Sequence, residues 1–173
     1  MESNQKHIIL KTENLSIGYK TKKNETVVAS NINVELNSGE LIGLVGANGI
    51  GKSTLLRTLT NVQSKLSGSV HLNDKLLETY SNLDLAKTMS LVLTESIASK
   101  NLSVFEIVAL GRQPYTNWVG KLSKTDTSII NKSLSDTNLN DIKHKKCYEL
   151  SDGQFQKVMI ARALAQDTDL LIL

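Results

Sequence analysis

The sequence predicts an α/β fold with a buried parallel sheet and helices packed on it. An antiparallel β-subdomain precedes this sheet in the chain, and a helical insert interrupts it. An apolar run at residues 41–45 leads into a glycine-rich loop and then into a helix that begins at Lys52. Upstream, Leu15, Ile17 and Tyr19 alternate at period two, as residues of a half-buried strand do. With 173 residues, 40% of them hydrophobic and 21% charged, the chain has the length and composition of one ordinary folded domain.

The N-terminal part of the chain is predicted to be built from strands. Residues 7–19 and 27–36 are strand-like and are joined by a charged turn. A turn then leads into residues 41–45, the first strand expected in the parallel sheet. Residues 67–77 have the pattern of a hairpin that turns at Asn73-Asp74.

Residues 97–146 differ in character and are predicted to form a helical insert. Ser103 caps a short helix, with Glu106 three residues on as in a capping box. The stretch Gly-Arg-Gln-Pro ends this helix, and Tyr115 and Trp118 follow. Aromatic residues beside a helix break indicate either a docking surface or packing within the insert. The remaining predicted elements are helices at 52–61, 84–88, 125–135 and after residue 151, and strands at 89–93 and 170–173.

The loop that follows residue 45 matches G-x-x-x-x-G-K-[ST], the pattern of a phosphate-binding loop between a strand and a helix. Glycine allows backbone at positive φ, so the N–H groups of the loop can surround phosphate oxygens. Lys52 is expected to reach the β- and γ-phosphates, and the Ser53 hydroxyl to ligate Mg²⁺. A plain glycine-rich turn is the alternative. The residues of the motif that would line the phosphate site are Gly46, Asn48, Gly49, Ile50, Gly51, Lys52, Ser53 and Thr54.

A second informative stretch is LSDGQFQKVMIARALAQ at residues 150–166. Ser151 is a good N-cap, and Asp152 favours the first turn of the helix that follows. The Ser151 hydroxyl and the Gly153 N–H group stand at this helix N-terminus, which is a second position for an anion. Apolar residues cover most of the helix circumference, so we expect it to be largely buried. An ordinary capped helix is the alternative.

Tyr19 and Glu95 each have two interpretations from the sequence, whereas Cys147 has one. Tyr19 could stack on a base or be an ordinary core or edge tyrosine. Glu95 follows the predicted strand 89–93, where open α/β sheets bind ligands, or it is a solvated loop residue. Cys147 is the single cysteine and has no zinc-type partner, so we expect a buried small hydrophobe.

Charge and hydropathy exclude several classes of protein. The net charge is +3 with scattered basic residues, which does not predict a nucleic-acid footprint. No apolar run approaches the length of a membrane span, and the polar N-terminus is not that of a signal peptide. The expected compartment is the cytoplasm.

The phosphate loop, followed roughly one hundred residues later by LSDGQ, a long helix and an apolar strand, resembles the ATP-binding subunit of ABC transporters. The resemblance runs from Tyr19 to Leu173. It implies a P-loop NTPase core, residues 1–173 being a partial ATP-binding domain with residues 97–146 as its helical insert. Within the family, VFEIVALGRQPYTNW is similar to the helical region of importer ATPases for iron–siderophore, haem and cobalamin.

The resemblance also implies roles for particular residues. Tyr19 would stack on adenine, and residues 46–54 would hold the triphosphate with Ser53 on Mg²⁺. Glu95 stands where the family has a metal-touching glutamine; a carboxylate can ligate the metal but adds negative charge. A signature motif would cover the ATP of the other subunit in a head-to-tail homodimer, with Asp152 replacing the commoner glycine. Its residues are Ser151, Asp152, Gly153 and Gln154.

The implied partners are membrane-spanning permease subunits, contacted through the helical insert, and indirectly a periplasmic or surface binding protein. ATP and Mg²⁺ are the implied ligands, no nucleic acid is expected, and the implied location is the cytoplasmic face of the membrane. The family's catalytic acidic residues and switch histidine would lie beyond Leu173, so the sheet would be incomplete at the C-terminus. We therefore expect this stretch to bind Mg-ATP weakly, to hydrolyse it negligibly and to aggregate through an exposed apolar strand.

Three alternatives to a transporter subunit remain from the sequence. The first is a soluble ABC-type ATPase that acts on nucleic acid or ribosomes. The second is a P-loop kinase for a small substrate, in which LSDGQ has no role. The third is a nucleotide-binding remnant without hydrolysis.

Overall fold

The computed structural model describes residues 7–92 and 101–173. The chain divides into two compact units, Met1–Ser81 and Asn82–Leu173. The first unit is built around an antiparallel sheet, and the second contains helices and a pair of parallel strands.

The predicted N-terminal antiparallel subdomain is present in the first unit. Its central strand pairs antiparallel with three others, and the fourth of its strands pairs with the fifth to close a hairpin. The strands are β1 (Ile8–Lys20), β2 (Glu25–Ile32), β3 (Glu35–Asn37), β4 (Ser67–Leu72) and β5 (Lys75–Leu76), and the helix is α1 (Lys52–Leu59), with a 3-10 turn at Leu77–Thr79.

An irregularity within β1 explains its length of 13 residues. Leu10 and Thr12 are buried in its first half, whereas Leu15 and Ile17 are buried in its second half, so the inward face changes from even to odd positions. Asn14 has φ +48 at the changeover, and the register against β4 shifts there. A β-bulge of this kind keeps apolar residues on the core side along the whole strand.

The hairpin between β4 and β5 is the one that the sequence predicts. Asn73 and Asp74 have φ values of +47 and +61, as both central residues of a type I′ turn require. Asparagine and aspartate tolerate this region better than other side chains do, so the turn is encoded locally.

The strand predicted at residues 41–45 is not formed, and this prediction is wrong for the structure described here. Leu41 and Val45 are almost fully exposed, and the backbone of residues 41–45 is irregular. Within the described ranges, no strand pairs with this run. A parallel strand depends on hydrogen-bonded neighbours and on burial of both faces, and an apolar run without them has no reason to adopt sheet geometry.

The second unit contains the remaining elements. Strands form within both predicted ranges, 89–93 and 170–173, and they pair in parallel with Met89 opposite Leu170 and Leu91 opposite Ile172. The elements are α2 (Asn82–Thr88), β6 (Met89–Leu91), α3 (Val104–Ala109), α4 (Lys124–Asp136), α5 (Asp152–Ala165) and β7 (Leu170–Ile172), with 3-10 segments at Leu110–Tyr115, Asn140–Ile142 and Cys147–Glu149.

Capping boxes begin three helices of this unit. Ser103 and Glu106 form the predicted box at α3, and Ser151 and Gln154 form one at α5. A third, at α4, uses Ser123 with an aspartate. Each box satisfies N–H groups that have no acceptor within the helix, so the sequence fixes where these helices start.

The core of the second unit lies between α3, α4 and α5. It is formed by Val104, Ile107, Val108, Ile130, Leu134, Leu139, Cys147, Val158, Ala161 and Ala165. The expectation that Cys147 is a buried small hydrophobe is confirmed, and burial raises the pKa of its thiol. The predicted insert at 97–146 supplies most of this core, and its boundaries as a separate subdomain stay a prediction.

A buried arginine joins three elements of the second unit. Arg112 is 4% exposed, and its Nε donates to Asp126 Oδ1 at 2.8 Å. Its Nη1 donates to the carbonyl oxygen of Ala165, the last residue of α5, at 2.9 Å. The Tyr115 ring lies over the guanidinium, with its centroid 3.9 Å from Cζ. Arg112 therefore attaches the helix break to the start of α4 and to the end of α5.

We expect the second unit to lose stability in acid because of Asp126. Hydrogen bonds from the Ser123 hydroxyl and N–H, and then from Arg112, lower the pKa of Asp126 to about 2. Its folded pKa is thus below its unfolded value of about 3.9, so the stabilisation is complete above pH 4–5 and is lost as pH falls towards 2. Urea unfolding of the native chain and of Asp126→Asn at pH 6, 4 and 2.5 measures this. The gap between them should shrink with falling pH, and a constant gap would contradict the assignment.

Candidate functional site

The glycine loop at residues 46–51 precedes α1, and two of its glycines lie at positive φ. Gly49 and Gly51 have φ values of +80 and +108, which residues other than glycine adopt only at a cost in conformational energy. A Cβ on Gly51 would lie 2.5 Å from Val28 Cγ1. Gly51 is the N-cap of α1, and no side chain caps this helix. The first N–H groups of α1 are therefore suited to an anionic ligand.

Lys52 closes the loop on itself. Its Nζ donates to the carbonyl oxygens of Gly46 at 2.7 Å and of Ala47 at 2.9 Å. An ammonium group has three donors, so these two bonds leave one for an anion. The side chain thus ties the start of the loop to the helix and keeps its positive charge beside the uncapped amides.

The other predicted loop residues differ in burial. Asn48, Ile50 and Ser53 are exposed, and the Ile50 N–H group donates to Ala47 O at 3.4 Å within the loop. Thr54 is 6% exposed and faces the sheet. Ser53 therefore has an accessible hydroxyl in the first turn of α1, where Thr54 has a buried one.

Tyr19 lies near the end of β1, and its side chain is 52% exposed. Its Oη is 3.0 Å from Thr54 Oγ1, so two predicted site residues that are 35 positions apart in sequence are in contact. No sequence pattern signals this hydrogen bond, because it depends on how the strand end packs against α1.

The donor set of this loop fits a magnesium triphosphate. It combines backbone N–H groups, one ammonium and one exposed hydroxyl, which suit phosphate oxygens and a cation bound with them. Mg²⁺ is commonly held by one or two protein oxygens together with substrate phosphates and water. Among residues 7–92 and 101–173, no cluster of three or more His, Cys, Asp or Glu could hold a metal. Glu95, the other predicted metal ligand, lies outside the described residues.

The LSDGQ motif begins α5 in the second unit. Ser151 Oγ accepts the Gln154 N–H at 3.3 Å, and Gln154 Oε1 accepts the Ser151 N–H at 3.0 Å. Ser151, Asp152 and Gly153 are exposed. A Cβ on Gly153 would meet no atom within 4 Å, so nothing nearby in the described chain requires glycine there. The motif thus forms a capped helix start whose first residues face outward.

The aromatic residues of the insert behave differently from each other. Tyr115 packs on Arg112 and is 37% exposed, which matches packing within the insert. Trp118 is 97% exposed, which matches an outward-facing surface.

None of the helices in the described part of the chain has the length and hydropathy needed to cross a membrane.

Comparison with known proteins gives consistent matches. A family model described as ABC transporter matches residues 29–173. An uncharacterised ABC transporter ATP-binding protein of Methanocaldococcus jannaschii is 46% identical over 95% of this chain and 56% of its own length. The iron(3+)-hydroxamate import ATP-binding protein FhuC of Bacillus subtilis is 37% identical over 95% of this chain and 60% of its own. The ferric enterobactin transport ATP-binding protein FepC of Escherichia coli is 32% identical over 95% of this chain and 59% of its own length. The chain therefore spans less than two thirds of the length of these relatives.

Solved structures with the same architecture confirm the predicted fold class. A putative metal-chelate type ABC transporter in an inward-facing conformation matches with a TM-score of 0.74 and 27% identity, over 96% of this chain and 59% of that one. CbiO1 of Clostridium perfringens, part of the ABC transporter complex cbiONQ, matches with a TM-score of 0.77 and 26% identity. The match covers 96% of this chain and 65% of CbiO1. The roles of individual residues at both motifs stay predictions.

Proposed function

The chain belongs to the ABC transporter family, and from that premise we propose that it is the ATP-binding, energy-coupling part of an importer for ferric siderophores. The observation that carries the proposal is the glycine loop that Lys52 closes at the uncapped start of α1. It gives the chain a phosphate site that is independent of the transported solute. The similarity to FhuC and FepC, whose names specify ferric chelates, supports the choice of solute.

The residues of the first unit bind and orient the nucleotide. The amides of residues 49–54 and the Lys52 ammonium contact phosphate oxygens, where aligned N–H groups and a positive charge favour a polyanion. The Ser53 hydroxyl would help to hold Mg²⁺, and the ion would neutralise phosphate charge. Tyr19 supplies an aromatic face for the base, since about half of its side chain is exposed.

The residues of the second unit serve assembly in this proposal. Ser151, Asp152 and Gly153 are exposed at the start of α5 and would contact the nucleotide of a twin subunit in a head-to-tail dimer. Trp118 lies in the helical region that would contact membrane-spanning permease subunits. ATP hydrolysis by the dimer would then drive the permeases from the cytoplasmic face of the membrane, and a binding protein would deliver the solute to them.

Uptake of radiolabelled iron by cells tests this proposal. Deleting the gene that encodes this chain should abolish ATP-dependent uptake of a ferric hydroxamate or a ferric catecholate. The native gene should restore uptake, and a gene carrying Lys52→Ala should not. A Lys23→Ala gene, which removes an exposed turn lysine, is the matched control and should restore it.

The choice of solute is tested separately. Haem and cobalamin uptake are measured in the same deletion strain, because the sequence resemblance of residues 104–118 leaves all three solute classes open. Loss of haem or cobalamin uptake alone would contradict the siderophore assignment but support the importer function. Normal uptake of ferric siderophores, haem and cobalamin would contradict the importer function.

A further inference from the structure

The hydrogen bond between Tyr19 and Thr54 links the proposed base-stacking residue to the phosphate loop. The two hydroxyl oxygens are 3.0 Å apart, and either one can donate. Thr54 is in the first turn of α1 and 6% exposed, so α1 fixes the position of its hydroxyl. The Tyr19 side chain is anchored at its tip while about half of its surface stays open to a planar ligand.

The backbone that carries Tyr19 is held in place as well. Tyr19 pairs with Thr26 where β1 and β2 form their hairpin. One residue earlier, the carbonyl oxygen of Gly18 accepts a hydrogen bond from the side-chain amide of Gln63, just after α1. A Cβ on Gly18 would lie 2.0 Å from the Thr26 carbonyl oxygen, so the close approach of the strands requires glycine there. The end of β1 is therefore bonded both to the start of α1 and to the segment that follows α1.

We propose that Thr54 is a positioning residue, which holds the Tyr19 ring at a fixed place beside the phosphate loop and makes the site select nucleotides over bare polyphosphate. This inference rests on the proposed function of residues 46–54 as a nucleotide site. A side chain that is already ordered loses less freedom when a ligand binds, so the anchored ring binds a base more tightly than a mobile one. Stacking tolerates any base, so the pair selects for the presence of a base and not for its identity.

Binding of ATP and of inorganic tripolyphosphate by the native chain and three variants tests the inference. Tyr19→Phe keeps the ring and removes its anchor, and Thr54→Val removes the partner hydroxyl with little change of shape. Each is expected to raise the ATP dissociation constant about two- to tenfold relative to that of tripolyphosphate, which is the scale of fixing one side chain. The double variant should lose no more than either single one, because both changes break the same bond.

Two further variants separate positioning from a general structural role. Thr54→Ser keeps a hydroxyl and should restore the native ratio of ATP to tripolyphosphate affinity. Tyr148→Phe removes the hydroxyl of another exposed tyrosine and should change neither affinity.

Three results would overturn the inference, each in a distinct way. An unchanged ATP affinity in Tyr19→Phe would show that the anchor has no effect on the base. Additive losses in the double variant would show that the two hydroxyls act separately. Equal losses for ATP and tripolyphosphate would place the effect on the phosphate loop alone. A native chain that binds neither ligand would instead overturn the proposed function.

Discussion

Replacing Arg112 with methionine is expected to lower the free energy of unfolding of the second unit by about 3–5 kcal/mol. Methionine keeps much of the apolar stem and removes both polar contacts. Asp126 would stay buried with its carboxylate no longer paired with the guanidinium, and the Ala165 carbonyl would lose its donor. Removing one partner of a buried ion pair costs more than the pair itself contributes, because the remaining charge is left without compensation.

Hydrogen exchange of α4 and α5 as a function of urea measures this effect, because it reports on the second unit by itself. Arg112→Lys is expected to fall between the native chain and Arg112→Met, since an ammonium cannot reproduce the two directed contacts of a guanidinium. Lys132→Met, on the exposed side of α4, is the matched control for replacing a cation with methionine. Native-like exchange in Arg112→Met would show that the cluster does not hold these helices together.

The features that sequence reasoning predicted correctly are those encoded by neighbouring residues. The capping box at Ser103 and the N-cap at Ser151 depend on residues no more than three positions away, and the turn at Asn73-Asp74 depends on two adjacent side chains. The glycine loop is also encoded locally, because the positive φ at Gly51 depends on having glycine at that single position. Such signals need no knowledge of the tertiary structure.

The features that the sequence did not predict depend on residues far apart in the chain. Arg112 binds a carboxylate 14 positions away and a carbonyl 53 positions away, and no spacing rule joins these partners. Tyr19 was a candidate for stacking, but its contact with Thr54 follows from the packing of β1 on α1. The strand expected at 41–45 failed for the same reason, since sheet formation depends on a neighbour and not only on apolar side chains.

Replacing Lys52 with alanine is expected to raise the dissociation constant for Mg-ATP about 10- to 100-fold. The ammonium contacts the loop carbonyls of Gly46 and Ala47, so its removal takes away both the closure of the loop and a positive charge beside the phosphates. Hydrogen bonds to charged groups contribute about 1.5–3 kcal/mol each, and 1.4 kcal/mol corresponds to tenfold in affinity. Calorimetry or a fluorescent ATP analogue measures the change.

Two variants determine whether the loss comes from lysine itself or from any change of charge. Lys52→Arg keeps the positive charge but places it on a wider, planar group. The native ammonium lies about 3 Å from two carbonyl oxygens, a position that a guanidinium does not fit, so we expect this variant to retain little of the native affinity. Lys23→Ala makes the same change of net charge in an exposed turn and should leave the affinity unaltered. If all three variants bound ATP as the native chain does, the loop would not be the phosphate site. A loss confined to the two Lys52 variants would tie nucleotide binding to the closed loop at the start of α1.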